Sequence, residues 1–191
     1  MELSCVIMAS GHGKRFGSDK LSYMLEGKPI AEHVFSNIPA DVFSQVLVVA
    51  RKDNLLNLAE EYGFTPVPND DLSDDSARTI ALGMAKLSPV ASGCMFCVCD
   101  QPYLSPETTR RLVEAFTASP ESIIRLAWGE KSGNPVIFPA STFNELKNLA
   151  RDETGRHVIK RHPELLRLVQ AGSERELYDI DRPSDLEKYS S

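Results

Sequence analysis

The chain has 191 residues, of which 42% are hydrophobic and 25% charged, and its formal net charge is −6. This length suffices for one domain with a sizeable core, and we predict a single domain over residues 1–191. An acidic chain is a poor partner for nucleic acid or for an anionic membrane surface, so neither partner is expected. Because we find no apolar run long enough to cross a bilayer and no signal peptide, we expect a cytoplasmic protein.

The first predicted element is a buried strand over residues 3–8, which leads into a glycine-rich turn. The turn combines glycines with basic residues: Gly11, Gly13, Lys14, Arg15, Gly17 and Lys20. Glycine lets the backbone bend sharply and lets its N–H groups approach phosphate oxygens, while the basic side chains neutralise phosphate charge. A Walker A loop is excluded because Arg15 follows Gly13-Lys14, and a dinucleotide-binding fingerprint because it requires glycine at Phe16. We interpret the turn as a cradle for a small polyanion; an ordinary turn with solvated basic residues is the alternative.

Helices and strands alternate along the rest of the chain. After the turn we predict a helix over 29–38, a strand over 45–50, a helix from an Asp53 cap to Gly63, a strand over 64–67 and a helix around 77–84. There follow a strand over 94–99, a helix that opens at Ser105, a strand over 122–127, a loop over 129–133, a strand over 135–138, helices over 140–150 and 154–161, strands over 165–169 and 177–180, and a helix from Pro183. This alternation indicates an α/β fold, with a three-layer, mainly parallel twisted sheet and helices on both faces.

The cysteines are Cys5, Cys94, Cys97 and Cys99. On a strand, Cys94 and Cys97 point to opposite faces, and no Cys or His pair at zinc spacing follows them. We therefore interpret the cysteines as small buried hydrophobic residues, with a metal site as the less favoured alternative. Disulfides are not expected in a reducing compartment.

Three features fall at the carboxyl ends of predicted strands: the glycine-rich turn, Asp100 and Asp181. In open α/β sheets the ligand binds beyond these ends, so we expect the three to lie together. Two carboxylates opposite a triphosphate cradle would hold a hard divalent cation, for which Mg²⁺ is the default. The alternative is that both acids are caps, Asp100 of the turn before Pro102 and Asp181 of the last helix.

Residues 8–21, MASGHGKRFGSDKL, resemble the nucleotidyltransferase signature Leu-Ala-Ala/Gly-Gly-x-x-x-Arg-Met/Phe-Gly followed by Lys. Residues 99–102 match Gly-Asp-Gln-Pro, residues 132–136 match Gly-Asn-Pro-Val, residues 151–156 are similar to Gly-Asp-x-Gly-Ala-Arg, and residues 179–185 match Asp-Ile-Asp-Thr-Pro-Glu-Asp. By these motifs, which run through nearly the whole chain, it resembles the molybdenum cofactor cytidylyltransferase family. That resemblance implies the nucleotide-diphospho-sugar transferase-like fold.

The resemblance also implies an activity, the transfer of CMP from CTP to the terminal phosphate of a molybdopterin-type cofactor with release of pyrophosphate. Mg²⁺ is the implied cofactor, and a molybdenum hydroxylase is an implied recipient of the product. The implied nucleotide-binding residues are Ala9, Ser10, Gly11, Gly13, Arg15, Lys20, Ser76, Asp100 and Gln101, of which Arg15, Lys20 and Asp100 are catalytic. The implied metal ligands are Asp100 and Asp181, and the implied acceptor-binding residues are Asn134, Asp152, Gly155 and Arg156. Gln101 favours cytidine, because family members that use CTP tend to carry Gln after the metal-binding Asp.

The chain departs from the family pattern in three places. Ser10 replaces an Ala, Arg151 replaces a Gly, and residues 73–78 read SDDSAR where the family has Gly-Met-Ser-Ser-Ser. Asp74 and Asp75 could repel phosphate or could bind a base amino group. Two alternative functions stay open. One is a sugar- or polyol-phosphate nucleotidyltransferase, and the other is a non-catalytic protein that binds nucleotide or cofactor and assists molybdenum hydroxylases.

Overall fold

The computed structural model describes residues 1–11, 16–17, 19–71 and 75–189. Within these residues the strands are β1 (Leu3–Ala9), β2 (Met24–Leu25), β3 (Lys28–Pro29), β4 (Gln45–Ala50), β5 (Thr65–Pro68), β6 (Gly93–Val98), β7 (Ile123–Trp128), β8 (Lys131–Pro139) and β9 (Leu166–Gln170). The helices are α1 (Ile30–Asn37), α2 (Asp53–Glu61), α3 (Ser76–Ala85), α4 (Pro106–Ala118), α5 (Phe143–Lys147), α6 (Gly155–Arg161) and α7 (Pro183–Tyr189). Short 3-10 helices lie at Lys20–Ser22, Ala40–Val42, Ala140–Thr142, Pro163–Leu165 and Glu174–Leu177. None of the helices in the described part of the chain has the length and apolarity that a bilayer span requires.

The main sheet is largely parallel. It has seven strands in the order β5-β4-β1-β6-β8-β7-β9, while β2 and β3 form a separate hairpin. β5, β4, β1 and β6 are parallel neighbours, β8 runs antiparallel to β6 and β7, and β9 is parallel to β7. The central strands are almost wholly buried, as expected for a sheet covered on both faces. The structure thus confirms the predicted α/β fold.

The hydrophobic core lies in two layers, one on each face of the sheet. Alternate residues of β1 point to opposite faces, so Ile7 packs with residues of α1, α2 and α4, and Val6 packs with residues of α3, α5 and α6. The four cysteines are all buried in these layers, which confirms their interpretation as small core residues. Burial raises the pKa of the Cys5, Cys94 and Cys99 thiols, so these thiols stay protonated at neutral pH.

A hairpin that we did not predict precedes α1. β2 and β3 pair across a turn at Glu26 and Gly27, whose φ angles are +48° and +85°. Glycine tolerates the second of these at little cost, and the resulting turn matches the twist of a two-stranded hairpin. Pro29 therefore ends β3 and precedes the helix, instead of being the first helical residue.

The segment predicted as a loop over 129–133 is instead a tight hairpin. Gly129, with φ +57°, lies in the turn, and β8 already begins at Lys131. The first four residues of β8 are polar or small and are not fully buried, so they lack the apolar pattern of a core strand. Strand pairing with β7 holds them extended all the same, because Lys131 and Ser132 lie opposite Trp128 and Ala127.

Three further predictions are wrong in detail. Residues 177–180 are not a strand: Leu177 ends a 3-10 helix, and Ile180 is buried without joining a ladder. Asp53 does not cap α2 but is its first residue, after Lys52. The helix over 140–150 is a 3-10 turn followed by α5, which ends at Lys147. Leu177 and Ile180 gave residues 177–180 a strand-like apolar pattern because they pack against the core, although they do not pair in a strand.

Candidate active site

The carboxyl ends of β1, β4 and β6 meet at one edge of the sheet, because these strands are parallel neighbours. Residues that follow the strands line a cavity of about 210 Å³ at this edge. They are Ser10 and Gly11 after β1, Arg51 after β4, and Asp100 beyond β6. Lys20 and the start of α3 at Ser76 also contribute to the lining. We call this space the rim cavity.

Lys20 joins the two acids that were predicted to hold a metal ion. Its Nζ atom lies 2.7 Å from Oδ2 of Asp100 and 3.6 Å from Oδ1 of Asp181. The Lys20 side chain is 11% exposed, whereas those of Asp100 and Asp181 are 25% and 33% exposed. Because the shared cation is largely removed from solvent, screening between these charges is reduced. Three residues predicted from distant parts of the sequence are thus in contact.

Backbone and side-chain hydrogen bonds hold residues 179–181 beside the turn after β6. The N–H of Ile180 donates to the carbonyl oxygen of Asp100 at 2.9 Å. Nε2 of Gln101 donates to Oδ1 of Asp179 at 2.8 Å. These two bonds hold Asp179 and Asp181 beside Asp100, although neither of the two acids belongs to a strand.

Asp179 is an acid of this cluster to which the sequence analysis assigned no role. The residue as a whole is exposed, but its carboxyl group lies near the carboxyl groups of Asp100 and Asp181. Desolvation, followed by the negative charges of Asp100 and Asp181, raises the pKa of Asp179, although Gln101 and Lys20 act in the opposite direction. Three carboxylates with one adjacent ammonium leave a net negative charge, which favours the binding of a cation.

Other residues predicted to bind nucleotide are fixed by local contacts. Ala9 ends β1 and is buried opposite Ala50 of β4. Ser10 is buried, and its Oγ donates to the carbonyl oxygen of Val49 at 3.1 Å, which holds the chain after β1 against β4. Asp75, whose role was open, caps α3: its carboxylate accepts from the N–H of Ala77 at 2.9 Å.

A second and larger cavity, of about 690 Å³, adjoins the rim cavity. The two linings share Met8, Ser76 and Val98. Apolar side chains of β6 and β8 line the larger space, among them Phe96, Val136 and Phe138. Polar side chains in the lining include Gln101, Arg125, Asn134, Thr154, Arg156 and Asp179. We call this space the sheet cavity; its size suits a small organic molecule.

Three of the four predicted acceptor residues, Asn134, Gly155 and Arg156, lie in the lining of the sheet cavity. Asp152 does not; it is an exposed turn residue with φ +68° ahead of α6. Gly155 also meets a packing requirement, because a Cβ atom there would lie 2.9 Å from Cζ of Phe138.

Gln101 lines the sheet cavity and not the rim cavity, so its contact with a nucleotide base stays a prediction. Gly13, Arg15 and Asp74 lie outside the described residues.

Arg51, Arg125 and Asp179 line the two cavities but were not predicted as site residues. Arg51 comes directly after a parallel strand, so the same strand-end rule that selected Asp100 would have found it. Arg125 is a charged residue inside an otherwise apolar strand, IIRLAW. A charged residue at such a position indicates a partner or a ligand, because a core strand rarely carries an unpaired charge.

Comparison of the sequence with known proteins identifies a family that matches most of this chain. The profile described as "MobA-like NTP transferase domain" matches residues 5–166. A probable molybdenum cofactor guanylyltransferase of Aquifex aeolicus is 33% identical over 115 residues, which are 59% of this chain and 53% of that protein. Over that match this chain spans only about half the length of the relative.

Two further similarities extend over nearly the whole chain. The purine catabolism protein PucB of Bacillus subtilis is 26% identical over 191 residues, 94% of this chain and 92% of PucB. The structure of Rv0371c from Mycobacterium tuberculosis in complex with manganese has a TM-score of 0.76 and 21% identity, covering 98% of this chain and 97% of that one. The profile match confirms that the chain is a nucleotidyltransferase of the MobA-like type. That it transfers a cytidylyl and not a guanylyl group stays a prediction. By its sequence, the chain belongs to the MobA-like NTP transferase domain family.

Proposed function

We propose that the protein transfers CMP from CTP to the terminal phosphate of a molybdopterin-type acceptor and releases pyrophosphate. The observation that carries the proposal is the contact of Lys20 with both Asp100 and Asp181 beside the rim cavity, which shares Met8, Ser76 and Val98 with the sheet cavity. In this proposal the rim cavity receives the nucleotide phosphates, and the adjoining sheet cavity receives the acceptor. Membership of the family supports the class of reaction.

The rim cavity suits the triphosphate. Backbone N–H groups after β1, at Ser10 and Gly11, lie at the edge of a parallel sheet, where nucleotide phosphates bind in α/β folds. Lys20 and Arg51 add positive charge to the same lining. We assign these four residues to phosphate binding, together with Gly13 and Arg15, which lie outside the described residues.

The acids of the rim fit a divalent cation. Asp100 and Asp181 supply carboxylate oxygens, the donors that Mg²⁺ prefers, in a cluster with an excess of negative charge. Within the described residues no set of three or more acidic, His or Cys side chains is arranged to hold a metal by itself. Two carboxylates are nevertheless enough for Mg²⁺, which in nucleotide sites is completed by phosphate oxygens and water. When bound, the ion would neutralise charge on the phosphates during transfer.

The transfer itself needs no covalent intermediate with the protein. An oxygen of the acceptor phosphate forms a bond to the α-phosphorus of CTP, while the bond from that phosphorus to the oxygen bridging to the β-phosphate breaks. The acceptor then carries CMP through a new phosphate–phosphate linkage, and pyrophosphate leaves. The contribution of this chain is to position the reactants and to stabilise charge, chiefly through Lys20 near the leaving group.

The sheet cavity suits the acceptor. Its apolar face can receive a planar heterocycle, and Asn134, Gly155 and Arg156 offer polar contacts in the lining. In this proposal the product is passed on to a molybdenum hydroxylase. Guanylyl transfer from GTP is the second candidate, because the Aquifex relative is named a probable guanylyltransferase.

A screen of nucleotides against acceptors tests the proposal. Purified protein with Mg²⁺ is given CTP, GTP, ATP or UTP together with molybdopterin or with sugar phosphates, and pyrophosphate release is measured. We expect turnover only with molybdopterin and a higher kcat/KM with CTP than with GTP. Turnover with sugar phosphates alone, or nucleotide binding without any pyrophosphate release, would overturn the proposed function. A higher kcat/KM with GTP would replace CTP by GTP.

Gln101→Ala in the same screen tests the base preference further. If Gln101 contributes to the choice of CTP, the ratio of the two kcat/KM values changes in this variant. If both values fall by the same factor, the role of Gln101 is instead to hold Asp179, its hydrogen-bond partner.

A further inference from the structure

Arg125 is a charged residue on the apolar face of the sheet. It lies in β7 opposite Val136 of β8, which in turn lies opposite Phe96 of β6. Val136 and Phe96 belong to the core layer under α3, α5 and α6, and both also line the sheet cavity with Arg125. A guanidinium thus stands among apolar side chains on the wall of a cavity large enough for a ligand.

The hydrogen bonds of Arg125 fix the position of its guanidinium group but use only some of the N–H donors of that group. Nε donates to the carbonyl oxygen of Gly133 at 3.2 Å, and Nη2 donates to that of Ser132 at 3.3 Å. A guanidinium has more N–H donors than these two bonds use, and they lie in one plane. The two carbonyl groups therefore orient the guanidinium, and its remaining N–H groups stay available to a ligand.

The charge of Arg125 is not balanced by an acid in the described part of the chain. Burial, followed by the positive charge of Arg156, lowers the pKa of Arg125, and no carboxylate is among the groups that act on it. Lys131, also in the cavity lining, has Glu174 as an ion-pair partner at 2.5 Å. Half-buried Arg125 and exposed Arg156 are thus two neighbouring cations on the lining of the sheet cavity, and an anion between them would relieve their mutual repulsion.

This cation pair is remote from the reacting phosphates. Lys20 and Asp100 lie beyond the end of β6, whereas Arg125 is two strands away, roughly 10 Å across the sheet, and level with the middle of β6. An acceptor that presents its phosphate at the rim would therefore place a different part of itself beside Arg125.

We propose that Arg125 and Arg156 bind a second anionic group of the acceptor, separate from the phosphate that reacts. This inference rests on the proposed function and narrows the class of acceptor. Besides the phosphate that reacts, the substrate would carry a second anionic group and an apolar or planar part that lies against Phe96, Val136 and Phe138. A simple sugar phosphate, which has a hydroxylated ring and one phosphate, does not meet this description.

Variants of Arg125 test the inference in the intact protein. Arg125→Gln keeps a side-chain N–H donor for the hairpin carbonyls but removes the charge, and Arg125→Lys keeps the charge but not the planar geometry. With molybdopterin as the probe, we expect the KM for molybdopterin to rise roughly 10- to 100-fold in Arg125→Gln and less in Arg125→Lys. The kcat and the KM for the nucleotide should stay within about twofold of wild type, because a remote binding contact acts equally before and during the reaction.

Arg156→Gln provides a second test that does not depend on the hairpin, since Arg156 is exposed on α6. It should raise the KM for molybdopterin in the same direction. The matched control is Arg110→Gln, which removes an exposed arginine that is paired with Asp41 and lies in neither cavity lining. This control should leave all kinetic constants unchanged.

Two results would overturn the inference while leaving the proposed function intact. One is an unchanged KM for molybdopterin in both Arg125→Gln and Arg156→Gln, with normal melting temperatures. The other is a fall in kcat at saturating molybdopterin, which would place Arg125 at the reacting phosphate. Calorimetric binding of molybdopterin without nucleotide separates the two hypotheses: wild-type binding that weakens in Arg125→Gln supports the anion site even if no nucleotide is turned over.

Discussion

The N–H of Ile180 donates to the carbonyl oxygen of Asp100 at 2.9 Å, although the two residues lie far apart in the sequence. This bond attaches the segment before α7 to the turn after β6. It places Asp181 within 3.6 Å of Lys20, which also contacts Asp100. The acidic cluster of the rim therefore depends on a backbone contact between the C-terminal part of the chain and the centre of the sheet.

In the proposed mechanism Asp100 helps to hold a cation on the nucleotide phosphates, so Asp100→Asn should lower turnover by on the order of 10²- to 10³-fold. The fold should persist, since Asp100 is at the rim and 25% exposed. Pyrophosphate release at saturating substrates and a thermal melt measure the two effects. Asp41→Asn is the matched control, a surface acid paired with Arg110, and should keep full activity. Full activity in Asp100→Asn would contradict the assignment.

Lys20→Met should cause a loss of similar size, because the Lys20 ammonium is shared between two carboxylates. Since Lys20 and Asp100 are in direct contact, we expect the double variant with Asp100→Asn to lose less activity than the product of the single losses. A double-mutant cycle on kcat/KM measures this. Lys52→Met, which removes a surface cation paired with Asp19, is the control. Strictly multiplicative losses would show that the two residues act independently.

Stability should depend on pH through His162. A hydrogen bond to Glu145, together with the charges of Glu145 and Glu164, raises the pKa of His162 in the folded protein. The resulting stabilisation is fully present below the unfolded pKa of about 6.5 and is lost as the pH rises through the folded value. Melting curves between about pH 6 and pH 8 should show this decline in wild type and a weaker one in His162→Gln.

Glu145→Gln offers an independent check of the same contact, because it removes the acid and keeps the histidine. It too should weaken the pH dependence. A dependence that is identical in wild type and in both variants would exclude His162 as its source. The contact matters for the site since it links α5 to the end of α6, the helix that begins with Gly155 and Arg156.

Gly93→Ala should destabilise the fold by about 1–3 kcal/mol through overpacking. A Cβ atom at Gly93 would lie 2.4 Å from Cζ of Phe116, which is fully buried. Denaturant melts measure the loss. Adding Phe116→Leu should recover part of the stability relative to the sum of the two single effects, because it removes the clashing atoms. Unchanged stability in Gly93→Ala would mean that the core at this point is less tightly packed than described.

The amino-acid sequence by itself determined the class of fold, the order of most elements and several of the residues that meet at the rim cavity. Periodicity found β1, β4 and β6, and the rule that ligands bind beyond parallel strand ends selected Asp100, because each depends on neighbours in the sequence. The same rule selected Asp181 through a strand over 177–180 that the structure does not contain. Only the tertiary structure decided the rest. The cluster of Asp179 with Asp100, the placement of Gln101 in the sheet cavity and the presence of Arg125 and Arg156 in one cavity lining depend on how distant segments pack together. Periodicity reports only the faces of a single element, so it cannot predict which residues of different elements come together.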